Sequence, residues 1–217
     1  MEDMAEELPE LLLPGVDEWR AWLAEHRDDD RGVRLVLAKK GASAPTRLSY
    51  DAALLEALCQ GWIDGQARRR DEATYVVRFT PRRSRSLWSR RNVDLVAQLT
   101  EEQRMQPRGL AEVARAQADG RWEAAYAGPA TIEVPPELTQ ALAREPDAQA
   151  SWERLNGQNR YAVLHRLATA VKPETRARRV EQFVAMLARG EAIYPQPGLA
   201  TAAPAEQRVA QGREDSG

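Results

Sequence analysis

The sequence predicts an α+β fold that is mainly α: a small β-sheet with a hairpin covered by helices, followed by a C-terminal helical bundle. Three observations carry this reading. Period-two alternation is concentrated between Gly32 and Pro81, apolar stripes at helical spacing dominate from Ser89 onward, and 217 residues suffice for one large domain or two small ones.

Residues 1–15 are expected to be a flexible N-terminus. "VDEWRAWLAEH" then sets Val16, Trp19, Trp22 and Leu23 at helical spacing, which predicts an amphipathic helix over 16–26 that "DDDRG" ends. In "GVRLVLAKKG", Val33, Leu35 and Leu37 alternate against Arg34, Val36 and Ala38, the pattern of a half-buried strand. After a loop containing Pro45, "LSYDAALLEALCQG" has Ser49 to cap a helix, Asp51 in its first turn where the dipole favours an anion, and Gly61 where a left-handed residue closes it. "WIDGQARRR" and "ATYVVRFTP" flank Asp71 and Glu72 as a β-hairpin. With Arg70, Asp71 and Glu72 as its loop, Asp64 stands opposite Arg78.

Helices follow. "SRRNVDLVAQLTEEQRM" places Val93, Val96, Ala97 and Thr100 on one face, and "PRGLAEVARAQADG" runs from Pro107 to Gly120, with Trp122 and Tyr126 in the loop beyond. The three prolines of "AGPATIEVPPEL" mark a linker or surface strap. Three shorter helices come next, in "PELTQALARE", "AQASWERLN" and "NRYAVLHRLATAV". The last, "PETRARRVEQFVAMLARG", carries Val180, Phe183, Val184 and Leu187 as its stripe. The expected domains are an α+β core over 16–128, a C-terminal helical region over 129–190 packed on that core, and a disordered tail over 191–217, poor in apolar pattern.

Lys and Arg total 31 against 33 Asp and Glu, so the net charge of −2 argues against a surface that binds polyanions throughout. The distribution is uneven: nine arginines face only Asp71 and Glu72 between Arg68 and Arg91. No run of about 20 apolar residues is present to span a membrane, and the acidic start is unlike a secretory signal, so the expected location is cytoplasmic. A single cysteine, Cys59, rules out an intrachain disulfide and agrees with a reducing compartment. Cys59 beside Leu58 reads as core, and His26 and His165 lack metal-ligand spacing, so no metal and no cofactor are expected.

The motifs "ALCQGWIDGQ", "RFTPRRSRSLWSRRN", "ADGRW" and "AVKPETRARRVEQFVAML" resemble the YdeI/OmpD-associated family, known as bacteriocin-protection proteins, over about Val16 to Arg189. Two positions depart from that pattern: Gln60 stands where an aromatic is common, and Ala162 where a charge is. The resemblance implies the fold and a theme of antimicrobial or bacteriocin tolerance, with envelope association in some members and a stress-response flavour. It supplies no catalytic residue.

Residue chemistry narrows the site. In "RFTPRRSRSLWSRRN", six arginines flank Phe79 and Trp88, a set suited to a flat or anionic ligand, or alternatively two core plugs around a solvated loop with Ser89 capping the next helix. Asp64 in "GWIDG" orients Arg78 or Arg82, or acts as a general base, the ion pair being the simpler role. Arg176 lies on the apolar stripe of the last helix, four residues before Val180. It therefore closes onto Asp64 or the basic loop, or snorkels past the stripe's end.

The expected ligand-binding set is Trp62, Asp64, Arg78, Arg82, Trp88, Ser89, Asn92 and Arg176. The expected function is non-catalytic binding or protection, recognising a small anionic or aromatic antimicrobial, a peptide or a protein partner. The alternatives are a hydrolase-like enzyme inactivating a natural product with Asp64 as base, and a nucleic-acid-associated stress protein, which the acidic remainder of the chain disfavours.

Overall fold

Alternating branched and charged residues make the strands, and the computed structural model, which describes residues 8–199, arranges four of them in one sheet. These are β1 (Glu10–Leu11), β2 (Val33–Ala38), β3 (Trp62–Arg69) and β4 (Thr74–Pro81), in the order β1-β2-β4-β3. The two long pairings are antiparallel, and β1 runs parallel to β2. β1 falls in the stretch expected to be flexible. Two residues are too few to show an alternation, so only pairing reveals them. Residues 1–7 and 200–217, which hold about half of that stretch and most of the expected tail, lie outside the described residues.

The hairpin corrects the expected register. Asp64 pairs with Phe79, not Arg78: next to the turn Arg69 pairs with Tyr75, two positions off the expected register, and the bulge of Gly65 and Gln66 between the Ala67–Val77 and Asp64–Phe79 pairs takes one of these back. One extra residue in β3 shifts everything beyond it, and no local signal marks its position.

Helices α1 (Val16–Glu25) and α2 (Tyr50–Cys59) cover one face of the sheet. Their Trp19, Leu23, Ala53 and Ala57 meet Val33, Leu35, Leu37, Trp62, Val77 and Phe79, all buried. Each large side chain taken out of water in this way contributes about 1.5–3 kcal/mol. The Trp19 indole N–H donates to the Ala53 carbonyl at 3.0 Å, which pins α1 against α2. Ser49 caps α2, accepting from the Ala52 N–H at 3.3 Å. Gly61 closes α2 with φ of 73°, a conformation glycine adopts without steric penalty, and its carbonyl accepts from the Arg82 N–H at 2.9 Å.

The far side of α2 packs on α3 (Arg90–Glu101) and α4 (Pro107–Ala118) through Leu54, Leu58, Cys59, Trp88, Val93, Val96, Leu99 and Ala116. The α3 stripe is Asn92, Val93, Val96 and Leu99; Ala97 and Thr100, expected on it, are exposed. The stripe turns one position from the expected face because Asn92 is buried beside Val93.

The chain divides into two compact units after Ala125. In the second, α5 (Pro136–Ala143), α6 (Pro146–Arg154), α7 (Gly157–Ala168) and α8 (Pro173–Ala188) share a core built on Leu138, Leu142, Trp152, Val163, Leu167, Val180, Val184 and Leu187. Leu199 is buried in it too, so the first part of the expected tail is held. Buried Asn159 fixes that segment by reciprocal bonds with the Tyr194 backbone, at 3.1 and 2.8 Å.

Candidate functional site

The face of the sheet turned away from α1 and α2 carries arginines. β2 contributes Arg34 and β4 contributes Arg78, which are cross-strand partners; two pairs along, on the same face, Val36 lies opposite Val76, and Arg68 of β3 pairs with Val76 from the other side. Partners on adjacent strands share a face, so these five side chains lie together. The β3 bulge puts Gln66 beside them, and the loop leaving β4 adds Arg83.

The result is a concavity of about 580 Å³ bordered by Leu8, Pro9, Asp30, Arg31, Arg34, Gln66, Arg68, Val76, Arg78 and Arg83. Five guanidinium groups border it against one carboxylate. Arg34 donates to Glu10 at 3.1 Å, and Glu10 also receives Arg70 at 3.3 Å, so the β1 edge supplies partial neutralisation. Val76, nearly fully buried, gives the concavity an apolar floor beside Leu8 and Pro9, under cationic walls. Planar, permanently charged guanidiniums around such a floor suit an anion with several oxygens, because each can form paired charge-assisted hydrogen bonds.

Of the residues expected to bind ligand, Arg78 alone borders this concavity. Trp62 is fully buried on the helix-covered face, packed edge-on against Trp22 at 5.7 Å. Asp64 is also on that side, where it accepts from the Tyr50 hydroxyl at 2.8 Å. Burial, then the Asp64 hydrogen bond, pushes the Tyr50 hydroxyl well above its ordinary value, so this contact is a neutral phenol donating to a carboxylate.

Arg82 and Trp88 do come together. The guanidinium lies 3.4 Å from the centre of the indole ring, and both residues are buried. Arg82 also donates to the Leu87 carbonyl at 3.2 Å, closing the arginine-rich loop on itself. Trp122 meets the Trp88 ring at 4.8 Å, and Arg121 reaches back to the Ser86 carbonyl at 2.8 Å. Ser89 caps α3 by accepting from the Asn92 N–H at 3.2 Å, and Asn92 is buried. Arg176 lies in the second unit, where it pairs with Glu137 and donates to the Leu167 carbonyl at 3.2 Å.

Sequence reasoning missed Arg68, Arg83, Arg31 and Arg34 as a group. The available signal was alternation: Arg34 and Val36 on one strand and Val76 and Arg78 on another put arginine and valine on the face opposite the leucines. The density of arginines in the loop after β4 is the stronger local signal and masks it.

Among the described residues, no group of three or more His, Cys, Asp or Glu could hold a metal ion, and no helix is long and apolar enough to cross a membrane.

Residues 131–190 match the family described as "Bacteriocin-protection, YdeI or OmpD-Associated". The resemblance to that family is thereby supported over this segment. The YdeI/OmpD-associated match lies within the second unit, in the segment holding α5 to α8, whereas residues 11–112 match a domain of unknown function. The resemblance expected to run continuously from Val16 is therefore divided, and the Arg-rich concavity sits in the region of unknown function. No curated protein and no solved structure matches the chain.

Proposed function

We propose that this is a non-catalytic binding protein of the bacteriocin-protection type, and that its first unit recognises a compact, multiply charged anion on the open face of the sheet. The single observation behind this reading is the set Arg68, Arg78 and Arg83, whose exposed guanidiniums border one concavity with Arg31 and Arg34 over an apolar floor. The YdeI/OmpD-associated match of the second unit lends the theme of antimicrobial tolerance. A small anionic antimicrobial or an acidic peptide segment has the chemistry to fit: oxygens for the guanidiniums and an apolar portion for Val76.

Isothermal titration with tripolyphosphate tests the site directly. The wild type is expected to bind, and the double variant Arg68→Gln, Arg78→Gln to bind at least tenfold more weakly with its fold intact by circular dichroism. Equal affinity of the two proteins removes the concavity from the proposal. Repeating the titration with single-stranded oligonucleotides against salt separates a nucleic-acid reading, which requires a steep log–log slope over several phosphates.

A further inference from the structure

The second unit contains a different kind of hollow, independent of the arginine face. Tyr161, His165 and Arg166 of α7 line a cavity of about 390 Å³ whose remaining wall includes Tyr194, Pro129 and Gly157. His165 is the centre of a ring cluster: Tyr126 meets it edge-on at 4.6 Å and Tyr161 lies tilted at 5.5 Å. The opposite wall is preorganised, because Tyr194 is held through its backbone by buried Asn159. The Arg166 guanidinium lies 5.9 Å from the Tyr194 ring and donates to the Ala162 carbonyl at 3.0 Å, which sets it at the cavity edge.

We infer that this cavity is a binding site for a planar aromatic monoanion, its ring held among Tyr161, His165 and Tyr194 and its carboxylate by Arg166. Shape and charge lead to the same class. Ring faces and edges set around a cavity favour a flat aromatic guest, since such pairs add about 0.5–1.5 kcal/mol beyond area burial. Among the described residues no acid lines the cavity, and Arg166 is the one that carries a formal charge there at neutral pH. Burial, then the neighbouring Arg166, holds the His165 imidazole below its ordinary value and therefore neutral, free to present a flat uncharged face. The size lies near the lower end of small-molecule pockets, which suits a one- or two-ring compound.

The test uses the full-length protein and 2-naphthoate. The chain has two histidines, so imidazole resonances report the site with an internal control at His26. At pH 7.5, 2-naphthoate is expected to shift the His165 signals saturably while leaving those of His26 in place. Neutral 2-naphthol is expected to bind at least tenfold more weakly. Gly157→Leu adds an apolar side chain to the cavity lining, at a position where a Cβ meets nothing within 4 Å, and is expected to weaken the shift. Arg166→Gln provides a second route, with at least a tenfold loss for naphthoate and little change for naphthol. The inference is overturned by an absent or unsaturable His165 shift, by an unchanged isotherm in Gly157→Leu, or by equal affinity for the acid and the alcohol. None of these outcomes touches the arginine face, which lies in the other unit.

Discussion

Arg34 and Arg78 stand directly opposite one another across the β2–β4 ladder, with Arg68 two positions away on β3, opposite Val76. Like charges facing each other in an antiparallel pair destabilise a sheet by about 0.2–1 kcal/mol. Glu10 offsets part of this through Arg34, but Arg78 is exposed on the cationic side. Such an arrangement is understandable where an anion completes it. Arg78→Gln is therefore expected to raise the melting temperature by about 1–4 °C at low salt while weakening anion binding. The gain should shrink in ~1 M salt, where the screening length falls to about 3 Å. A variant that melts lower than the wild type at low salt contradicts the repulsion on which the argument rests.

Trp88 belongs to the core, although its sequence context suggested a ligand platform. It is 3% exposed, packed against Trp122 and roofed by Arg82. Trp88→Ala is expected to cost about 3–5 kcal/mol, because so large a ring leaves a cavity that its neighbours cannot fill. Trp88→Phe should cost much less: the indole N–H has no hydrogen-bond partner among the described residues, so removing it breaks nothing. Urea denaturation of both variants, with tripolyphosphate titration beside it, checks the point. Loss of affinity without loss of stability in Trp88→Ala would return this residue to a binding role.

What could be read in the sequence was local. Ser49, Ser89 and Gly61 end their helices as expected because a cap is specified by a few adjacent residues. The stripe of α8 was equally legible, since periodicity over 16 residues leaves little freedom. The site was not legible in the same way. Which face Asp64 takes depends on the pairing at the turn together with the bulge at Gly65 and Gln66, which set it opposite Phe79 rather than beside Arg34, Arg68 and Arg78. Register is a property of two strands, and neither strand encodes it alone. Arg176 illustrates the same limit: its place beside an apolar stripe was visible, but its partner Glu137 lies 39 residues earlier.

Gly109 lets α4 approach the end of α2. A Cβ there would lie 2.2 Å from the Cys59 carbonyl oxygen, a backbone atom that cannot swing aside. Gly109→Ala is therefore expected to destabilise by about 1–3 kcal/mol despite alanine's better helix propensity. The same packing seals Cys59, whose thiol is pushed up to about 11 by burial and then by the Glu56 carboxylate. Iodoacetamide at pH 7.5 should leave the native thiol unmodified over hours and alkylate it quickly in urea. In Gly109→Ala, loosening of this contact should speed labelling of the folded protein. Rapid labelling of the wild type would show the seal to be imaginary.

Glu56 ties three segments of the first unit together. Its carboxylate, 6% exposed, receives Arg20 at 2.9 Å and Arg104 at 2.7 Å. Burial pushes the carboxyl up, but the Arg20 hydrogen bond and charge, followed by those of Arg104, outweigh it and hold the group below its ordinary 4.5. A depressed carboxylate contributes stability that is fully present above the unfolded-state value and disappears as pH falls through the folded one. Both arginines are partly solvated, so the contribution belongs to charged hydrogen bonds, about 1–3 kcal/mol, rather than to a fully desolvated pair. Glu56→Gln is expected to lose that amount at pH 7 and to converge on the wild type only as pH falls through the depressed folded-state value of Glu56, where both side chains become neutral. A stability difference that persists unchanged at acid pH would assign the loss to packing, and the ion cluster would have no electrostatic role in holding α1 and the α3–α4 connection on α2.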